Sequence, residues 1–212
     1  MVPLNPPLTP ADCAVLVMAK APLPGLAKTR LIPALGAAGA AALAARMLRH
    51  ALDEALAAGL GPVTLCAAPQ ASHPAFAEVA REGRITMADQ GDGDLGARMQ
   101  RAFERALTAH AGALLIGTDA PALDAAVLRA AHAALTAHDA VLVPAHDGGY
   151  VLIGLRGMAP RLFEDMPWST PQVLALTRER LRESGLCWAE LPALHDIDEP
   201  ADLVHLAGRS WA

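Results

Sequence analysis

Short apolar segments alternate with helical patterns along nearly the whole chain, and this order constrains the fold more than any other feature. The first segment, residues 13–19, is apolar almost throughout, as expected for a strand covered on both faces. Strands that alternate with helices form a mostly parallel sheet with helices on both faces. We therefore predict one α/β domain, an α/β/α sandwich over residues 1–212 with tails at 1–12 and 208–212.

The predicted elements follow this alternation. Strands are expected over residues 13–19, 63–67, 84–88, 113–117, 140–144, 150–155 and 187–191. Helices are expected over residues 37–58, 72–81, 94–110, 122–137 and 170–184. Asp94 is the expected N-cap of the third helix, and Thr170, with Pro171 at the first helical position, is the expected start of the fifth. Asp198 is a candidate cap for a terminal helix.

Composition and charge exclude several classes of protein. The net charge is −5 over 212 residues, and there is no basic stripe, which argues against a nucleic-acid partner. The three cysteines lie far apart without a Cys-x-x-Cys pair, as in a reduced cytoplasmic protein. We expect a cytoplasmic protein without a membrane partner, because no apolar run approaches the ~20 residues that cross a bilayer.

Ligands of such sheets bind beyond the carboxyl ends of the strands. The loop after the first strand, residues 20–31, carries Lys20, Lys28 and Arg30, and the two lysines are the only ones in the chain. Three cations beside backbone amides predict a phosphate-binding loop, with a solvated loop as the alternative. Proline and alanine occupy the glycine positions of a Walker A loop, so that motif is excluded.

The loop after the third strand, residues 89–96, interleaves three carboxylates with glycines. It lacks the glutamate at the twelfth position of a calcium-binding loop, so we do not predict a calcium site. We interpret it as a flexible loop whose backbone approaches a base or a sugar. The alternative is a plain turn before the N-cap Asp94.

Three aspartates suggest a metal site. Asp119 follows the fourth strand, where a carboxylate is costly unless it is paired or bound to a metal. Carboxylates together with substrate phosphates are the usual ligands of Mg²⁺. Asp196 and Asp198 lie on the same side of an extended segment and could complete the site. The alternatives are helix caps, Asp119 for the next helix and Asp198 for the last.

Residues 147–150, Asp-Gly-Gly-Tyr, follow the fifth strand and contain the single tyrosine of the chain. Asp147 could bind an acceptor hydroxyl, assist as a general base, or only stabilise a turn. The two glycines are alternatively a tight hairpin turn. Histidines in helical patterns, such as His50 and His205, are interpreted as surface or packing residues.

Taken together, these loops resemble bacterial glycosyltransferase-A-like proteins of the nucleotide-diphospho-sugar transferase superfamily, a group linked in some genomes to arsenosugar biosynthesis. The resemblance covers residues 18–203 and rests on motifs at 18–31, 91–99, 117–121, 147–150, 168–170 and 196–203. It implies the GT-A fold, with a nucleotide-binding half at residues 13–121 and an acceptor half at 122–207. Molybdenum-cofactor and phospholactate guanylyltransferases share this fold.

The resemblance also implies residue roles. The nucleotide and its phosphates would be bound by Lys20, Pro22, Gly25, Lys28, Thr29, Arg30, Gly91, Gly96 and Arg98. The acceptor would be bound by Asp147, Gly148, Gly149, Tyr150, Trp168, Ser169 and Thr170. Asp119, Asp147 and Lys28 would be catalytic, and Mg²⁺ or Mn²⁺ would be held by Asp119, Asp196 and Asp198.

The expected function is a metal-dependent glycosyltransferase that moves a sugar from a nucleoside-diphosphate sugar to a small acceptor. One departure favours an alternative: Gly117 stands at the first position of the Asp-x-Asp motif of such enzymes. The alternative is a nucleotidyltransferase that joins a nucleoside triphosphate to a phosphorylated small molecule and releases pyrophosphate. A non-catalytic nucleotide-binding protein is the third reading, and a homodimer is compatible with all three.

Overall fold

The computed structural model describes residues 8–81 and 83–208 and places seven strands in one sheet. The strands are β1 (Cys13–Lys20), β2 (Val63–Ala68), β3 (Ile85–Asp89), β4 (Gly112–Ile116), β5 (Ala140–Pro144), β6 (Tyr150–Leu155) and β7 (Trp188–Glu190). Their order is β3-β2-β1-β4-β6-β5-β7. Strand β6 runs antiparallel to β4 and β5, and the other pairings are parallel. Of the predicted tails at residues 1–12 and 208–212, residues 1–7 and 209–212 lie outside the described residues.

Five α-helices connect the strands. They are α1 (Ile32–Ala57), α2 (Ala77–Arg81), α3 (Leu95–Leu107), α4 (Ala125–Leu135) and α5 (Val173–Glu183). Short 3₁₀ helices lie at Pro10–Asp12, Thr29–Leu31, Pro74–Phe76, Pro160–Leu162 and Pro200–Leu206. The predicted order of strands and helices is therefore confirmed, and the segment after Asp198 is a 3₁₀ helix.

Side chains of β1 alternate between two hydrophobic clusters, because successive residues of a strand face opposite sides. Val15 packs in one cluster with Leu52 of α1. Leu16 packs in the other with Phe103 of α3 and Leu181 of α5. Helices thus cover both faces of the sheet, which confirms the predicted α/β/α sandwich.

The structure confirms one of the predicted helix caps and contradicts another. The Asp94 Oδ1 atom accepts a hydrogen bond from the Ala97 N–H at 2.8 Å, so the predicted cap of α3 is confirmed. The predicted start of α5 at Thr170 is wrong: its hydroxyl donates to the Pro167 carbonyl oxygen at 2.7 Å, and the helix begins at Val173. The Leu174 N–H donates to the Gly148 carbonyl oxygen at 2.9 Å instead of to the Thr170 carbonyl, so no α-helical turn forms over residues 170–174.

Aspartates after the fourth strand and near the end of the chain also differ from the predicted caps. Helix α4 is capped by Asp124, whose Oδ1 atom accepts from the Val127 N–H at 2.9 Å, and not by Asp119. The last 3₁₀ helix is capped by Glu199 and Asp202, which form a capping box, and not by Asp198. Asp119 and Asp198 are thus left for another role.

By length and composition alone, the helical segment Thr29–Ala57 is long and apolar enough to cross a membrane. This finding contradicts the expectation that no run is long enough. Alanine, which is small, contributes to this apolar character. The segment turns at Gly36 (φ 68°, ψ 164°) and packs Leu43 and Met47 inside the protein. A helix that packs on a sheet can have the same length and apolar composition, so this finding is only weak evidence for a membrane-spanning helix.

Candidate active site

Lys28 lies at the centre of the site that the folded chain assembles. Its Nζ atom is 2.5 Å from the Asp119 Oδ1 atom and 3.0 Å from the Asp198 Oδ1 atom. It also donates to the Ile197 carbonyl oxygen at 2.5 Å. A lysine ammonium has three N–H donors, and here each has an acceptor. The Lys28 side chain is only 7% exposed, so the ammonium is a buried counterion of two carboxylates.

The charged form of Lys28 is stabilised by these neighbours. Burial opposes the charge, but Asp119 and Asp198 outweigh that effect and raise the pKa of Lys28 above its usual value. Its backbone has φ 48° and ψ 44°, in the left-handed region, which costs roughly 1–2 kcal/mol for a residue with a Cβ atom. The ion pairs therefore hold this residue in a conformation that the chain alone disfavours.

Backbone contacts bring the C-terminal segment to the carboxyl ends of β4 and β5. The Ile197 N–H donates to the Asp119 carbonyl oxygen at 2.8 Å, and the Leu194 N–H donates to the Pro144 carbonyl oxygen at 2.9 Å. These bonds place residues 196 and 198 next to the loop after β4. The structure thus brings the three predicted metal ligands to one place.

A cleft of about 140 Å³ lies beside this assembly. The carboxylates of Asp119, Asp147 and Asp196 line it, together with Tyr150 and backbone of the loop after β4. Burial raises the pKa of Asp196 to about 6, with further contributions from the negative charges of Asp147, Asp198 and Asp119. The cleft therefore concentrates negative charge that needs a cationic partner.

The Asp-Gly-Gly-Tyr turn shapes one wall of the cleft. The Asp147 Oδ1 atom accepts a hydrogen bond from the Gly149 N–H at 2.8 Å. Gly148 has φ 92°, and a Cβ atom there would overlap the Pro171 backbone. The Tyr150 hydroxyl is buried, and burial raises its pKa above the usual value. Asp147 thus stabilises the turn and also lines the cleft, so its contact within the turn does not exclude either of the predicted active-site roles.

The carboxylate oxygens of Asp119, Asp196 and Asp198 are ligands of the kind that Mg²⁺ and Mn²⁺ prefer. However, the Lys28 ammonium fills the position between Asp119 and Asp198. Within the described residues, no group of three or more His, Cys, Asp or Glu side chains is arranged to hold a metal ion. As folded here, the predicted metal ligands do not fit a divalent cation.

The other cations of the first loop are placed differently from Lys28. Lys20 ends β1, opposite Ala68 of β2, and is exposed. Arg30 lies in the 3₁₀ helix Thr29–Leu31 and is also exposed. Gly25 has φ 79° in the turn between them. Lys20 and Arg30 are therefore accessible to a phosphate ligand, whereas Lys28 is not in this conformation.

Arginines of α3 hold the loop between β3 and α3 by its carbonyl oxygens. The Arg98 Nε atom donates to the Gly93 carbonyl at 2.9 Å, and Arg105 donates to the Asp89 carbonyl at 2.7 Å. Arg101 donates to the Asp92 carbonyl at 3.0 Å and also to the Gln90 carbonyl. Arg98, predicted to bind nucleotide, thus orders the loop that carries Gly91.

Two residues in this region were not predicted from the sequence. Gln90 is 5% exposed, and its side-chain amide donates to the Cys66 carbonyl at 2.9 Å and to the Ala19 carbonyl at 3.1 Å. It therefore ties the loop to the ends of β1 and β2. Arg101 was also missed, although its spacing of three residues from Arg98 places both on one side of α3.

Gly96 and Trp168 contact each other away from the carboxylate cleft. A Cβ atom at Gly96 would overlap the Phe163 carbonyl oxygen and lie 2.8 Å from the Trp168 Nε1 atom. The residues that line the cleft in the described part of the chain do not include Trp168, Ser169 or Thr170. The structure therefore gives Gly96 a packing function and does not place the Trp-Ser-Thr motif in the lining of the carboxylate cleft.

Helix α1 supports the loop after β4 through two polar side chains. His50 Nε2 lies 3.0 Å from the Pro121 carbonyl oxygen. The Glu54 Oε2 atom accepts from the Ala125 N–H at 2.7 Å. His50, interpreted from the sequence as a surface or packing residue, thus helps to fix the loop that carries Asp119. Its helical position gave no sign of this contact.

Three histidines stack beside the carboxylates. The ring centroids of His146 and His195 are 3.9 Å apart, and those of His195 and His205 are 3.8 Å apart. All three residues are exposed. The stack brings the turn after β5 together with the C-terminal segment and the last 3₁₀ helix, so it helps to position Asp196.

The comparisons with known proteins agree with this fold. The family model described as "Uncharacterized protein conserved in bacteria (DUF2064)" matches residues 51–170. A solved structure from Desulfovibrio desulfuricans G20, described as a candidate nucleotide-diphospho-sugar transferase, is 28% identical with a TM-score of 0.84, over 95% of this chain and 90% of that chain. No curated protein sequence is significantly similar to the chain.

Two further structures are similar at low sequence identity. CMP:2-keto-3-deoxy-manno-octonic acid synthetase in complex with CTP is 13% identical with a TM-score of 0.58, over 92% of this chain and 96% of that chain. Rv0371c from Mycobacterium tuberculosis H37Rv, in complex with manganese, is 17% identical with a TM-score of 0.52, over 93% of this chain and 99% of that chain. These likenesses show the fold, and the predicted nucleotide-diphospho-sugar transferase fold is confirmed.

Proposed function

The chain belongs to the DUF2064 family of bacterial proteins, and we propose that it is a transferase that uses a nucleotide-activated donor. The reaction we favour moves a sugar from a nucleoside-diphosphate sugar to a small acceptor. One observation carries this proposal: a cationic loop and a carboxylate-lined cleft meet at the carboxyl ends of β1 and β4, in contact through Lys28 and Asp119. Ligands of open α/β sheets bind at this edge.

The exposed cations would bind the donor. Lys20 and Arg30 stand in the same loop as the turn at Gly25 and can reach phosphate oxygens. Positive charge placed where a diphosphate leaves stabilises the transition state of its departure. The guanidinium of Arg30 can also bind phosphate with two parallel hydrogen bonds. The first loop would therefore hold the leaving group.

The carboxylates of the cleft would bind the acceptor. Asp147 is exposed at the mouth of the cleft and keeps one oxygen on the Gly149 N–H. A carboxylate in hydrogen-bond reach of an acceptor hydroxyl can orient it and accept its proton. We assign this role to Asp147, with Asp196 as its neighbour in the cleft. That the acceptor is a small molecule stays a prediction from the family resemblance.

Mg²⁺ or Mn²⁺ is the cofactor that the family resemblance implies. The manganese complex of the mycobacterial neighbour supports a divalent cation in this fold. We derive no catalytic step through a metal, because Lys28 occupies the position between Asp119 and Asp198.

Nucleotidyl transfer is the second candidate, and a specific observation favours it. Asp119 stands alone after β4, with Gly117 where a metal-dependent glycosyltransferase has its first aspartate. Neighbours of this fold include a CMP-sugar-acid synthetase bound to CTP. In this version pyrophosphate leaves and the acceptor is itself a phosphate, so the cations of the first loop would contact both substrates.

The products that are released distinguish the two candidate reactions. The protein is incubated with Mn²⁺, with either nucleotide sugars or nucleoside triphosphates, and with a panel of small hydroxylated and phosphorylated acceptors, and release of nucleoside diphosphate or pyrophosphate is measured. Diphosphate release from a nucleotide sugar supports glycosyl transfer, and pyrophosphate release supports nucleotidyl transfer. Asp147→Asn should reduce the rate, whereas Asp53→Asn, at an exposed position of α1, should not. Binding of a donor without any product would indicate the non-catalytic alternative.

A further inference from the structure

We propose that the groove between α1 and α2 is a binding site for a small phosphorylated sugar, separate from the carboxylate cleft. The groove has a volume of about 390 Å³, whereas the cleft has about 140 Å³. Pockets that bind small molecules have volumes from about 300 Å³ upward. Within the described part of the chain, no residue lines both the groove and the cleft. The proposal therefore does not depend on the proposed function.

Two helices form the walls of the groove. Helix α1 contributes Arg46 and Arg49, and α2 contributes Glu78. Leu48 of α1 and Val79 of α2 also line the groove, and both are buried in one hydrophobic cluster with residues of the sheet. The core thus holds the two walls in place, so the groove is formed by the folded chain before any ligand binds.

The cations of the groove would bind the phosphate group. Arg46 is exposed and Arg49 is half-buried, and their spacing of three residues places them on one side of α1. A guanidinium binds two phosphate oxygens through parallel, charge-assisted hydrogen bonds. Among the described residues, the cations assigned to the donor, Lys20 and Arg30, do not line the groove. A phosphate bound here is therefore distinct from the phosphates of the donor.

The carboxylates of the groove indicate what the phosphate is attached to. Glu78 is exposed on the α2 wall, and Asp53 also lines the groove, so two carboxylates balance the two guanidiniums. Inorganic phosphate would use the guanidiniums alone, whereas a carboxylate accepts hydrogen bonds from hydroxyl groups. We assign the hydroxyl contacts to Glu78. The aliphatic side chains of Leu48 and Val79 can pack against the C–H groups of a sugar ring, so a phosphorylated sugar matches all three kinds of group.

Isothermal titration calorimetry with glucose 6-phosphate tests the site. We expect the wild type to bind this probe with a Kd of about 1 mM or below. Arg46→Met should bind it roughly tenfold more weakly, because charge-assisted hydrogen bonds to the phosphate are lost. Arg30→Met, which removes an exposed cation of the first loop, is the matched control and should bind like the wild type. A wild type that does not bind, or a loss in Arg30→Met equal to that in Arg46→Met, would overturn the proposal.

Inorganic phosphate, glucose and glutamate test the class of ligand. Each of them should bind the wild type roughly tenfold or more weakly than glucose 6-phosphate, because each presents only part of the matching groups or fills only part of the groove. Glu78→Met should weaken the binding of glucose 6-phosphate but not that of inorganic phosphate. Inorganic phosphate or glutamate that binds as tightly as glucose 6-phosphate would refute the assignment to a phosphorylated sugar.

A folding defect in the variants is separable from a loss of binding. Arg46 and Glu78 are exposed, so the midpoint of thermal unfolding of each variant should match that of the wild type. Arg46→Lys keeps the charge but not the two parallel hydrogen bonds, and its affinity should lie between those of the wild type and Arg46→Met. An Arg46→Lys variant that binds no better than Arg46→Met would show that a charge at this position does not bind the phosphate.

Discussion

At the scale of single residues, the site depends on the balance of charge around Lys28. Four carboxylates lie at this site: those of Asp119 and Asp198 contact the buried Lys28 ammonium, and those of Asp147 and Asp196 lie near them in the cleft. Two of them are hydrogen-bonded to it, and Asp196 is not among them. Burial is the main cause of the raised pKa of Asp196, and the negative charges of Asp147, Asp198 and Asp119 add to it.

The raised pKa of Asp196 predicts how stability depends on pH. Between its usual 3.8 and about 6, the folded protein holds a proton that the unfolded chain has lost, so the free energy of unfolding falls as the pH rises through this window. Above it, Asp196→Asn should be more stable than the wild type by about 1 kcal/mol, a value reduced for solvent screening because the side chain is half exposed.

Urea denaturation between pH 4 and pH 8 measures this difference. The advantage of Asp196→Asn should shrink towards the acid end, because the unfolded chain also takes up the proton as the pH approaches 3.8. Asp92→Asn, at an exposed position of the loop after β3, is the control and should follow the wild type. An Asp196→Asn variant with the same pH dependence as the wild type would disprove the assignment.

At the scale of elements, α3 has two functions that its sequence shows only in part. Its N-terminus packs on the segment before α5, where Gly96 meets Phe163 and Trp168. Its arginines hold the preceding loop by the carbonyl oxygens. The helix therefore connects the loop that carries Gly91 to the hydrophobic core.

Replacement of Gly96 tests the packing function. Gly96→Ala should lower the free energy of unfolding by about 1–3 kcal/mol, because the added methyl group overlaps backbone and an indole ring that cannot move freely. Gly157→Ala is the matched control, since a Cβ atom there meets nothing within 4 Å. Denaturant unfolding compares the two. Equal losses would show that the close approach at Gly96 does not matter.

Replacement of Arg101 tests the ordering of the loop. Arg101→Met removes the hydrogen bonds to the Gln90 and Asp92 carbonyls, so nucleotide binding must then order the loop itself. We expect nucleotide affinity to fall roughly tenfold, about 1.4 kcal/mol, as measured by isothermal titration calorimetry. Arg84→Met, at an exposed position before β3, serves as control. Unchanged affinity in Arg101→Met would mean that the loop does not touch the nucleotide.

At the scale of the whole molecule, the folded chain pairs the carboxylates of Asp119 and Asp198 with a cation of its own, the Lys28 ammonium. The first loop, the loop after β4 and the C-terminal segment meet through Lys28, through the backbone contact between Ile197 and Asp119, and through the hydrophobic cluster that contains Leu31 and Ile197. These segments lie far apart in sequence. The site therefore forms only when these distant segments come together as the chain folds.

Metal removal and nucleotide addition should act differently on the folded protein. EDTA should leave the midpoint of thermal unfolding unchanged, because the chain supplies its own cation at the carboxylate pair. A nucleotide with Mn²⁺ at 100 times its Kd should raise the free energy of unfolding by about 2.7 kcal/mol. Differential scanning fluorimetry measures both. A lower midpoint in EDTA would show that a metal is part of the resting structure.

Local pattern determined most of the architecture. The apolar segments and their helical connections predicted the seven strands close to their observed bounds, because burial on both faces leaves a clear mark on the sequence. The loops at the carboxyl edge were correctly chosen as the place where Asp119, Asp147, Asp196 and Asp198 meet. The predicted start of α5 and the predicted cap of the last helix were wrong. Several adjacent polar residues can each cap one helix, and tertiary contacts determine which of them does so.

The sequence by itself determined the sheet, its layers and the edge at which cations and carboxylates collect, since periodicity and burial are local properties of the chain. Only the tertiary structure decided which cation faces which carboxylate. The two lysines stand eight positions apart in one loop, yet Lys20 is exposed and Lys28 is buried between Asp119 and Asp198. That difference arises because residues 119 and 198 approach residue 28 only after the sheet has formed. The sequence of the loop contains no pattern that predicts it.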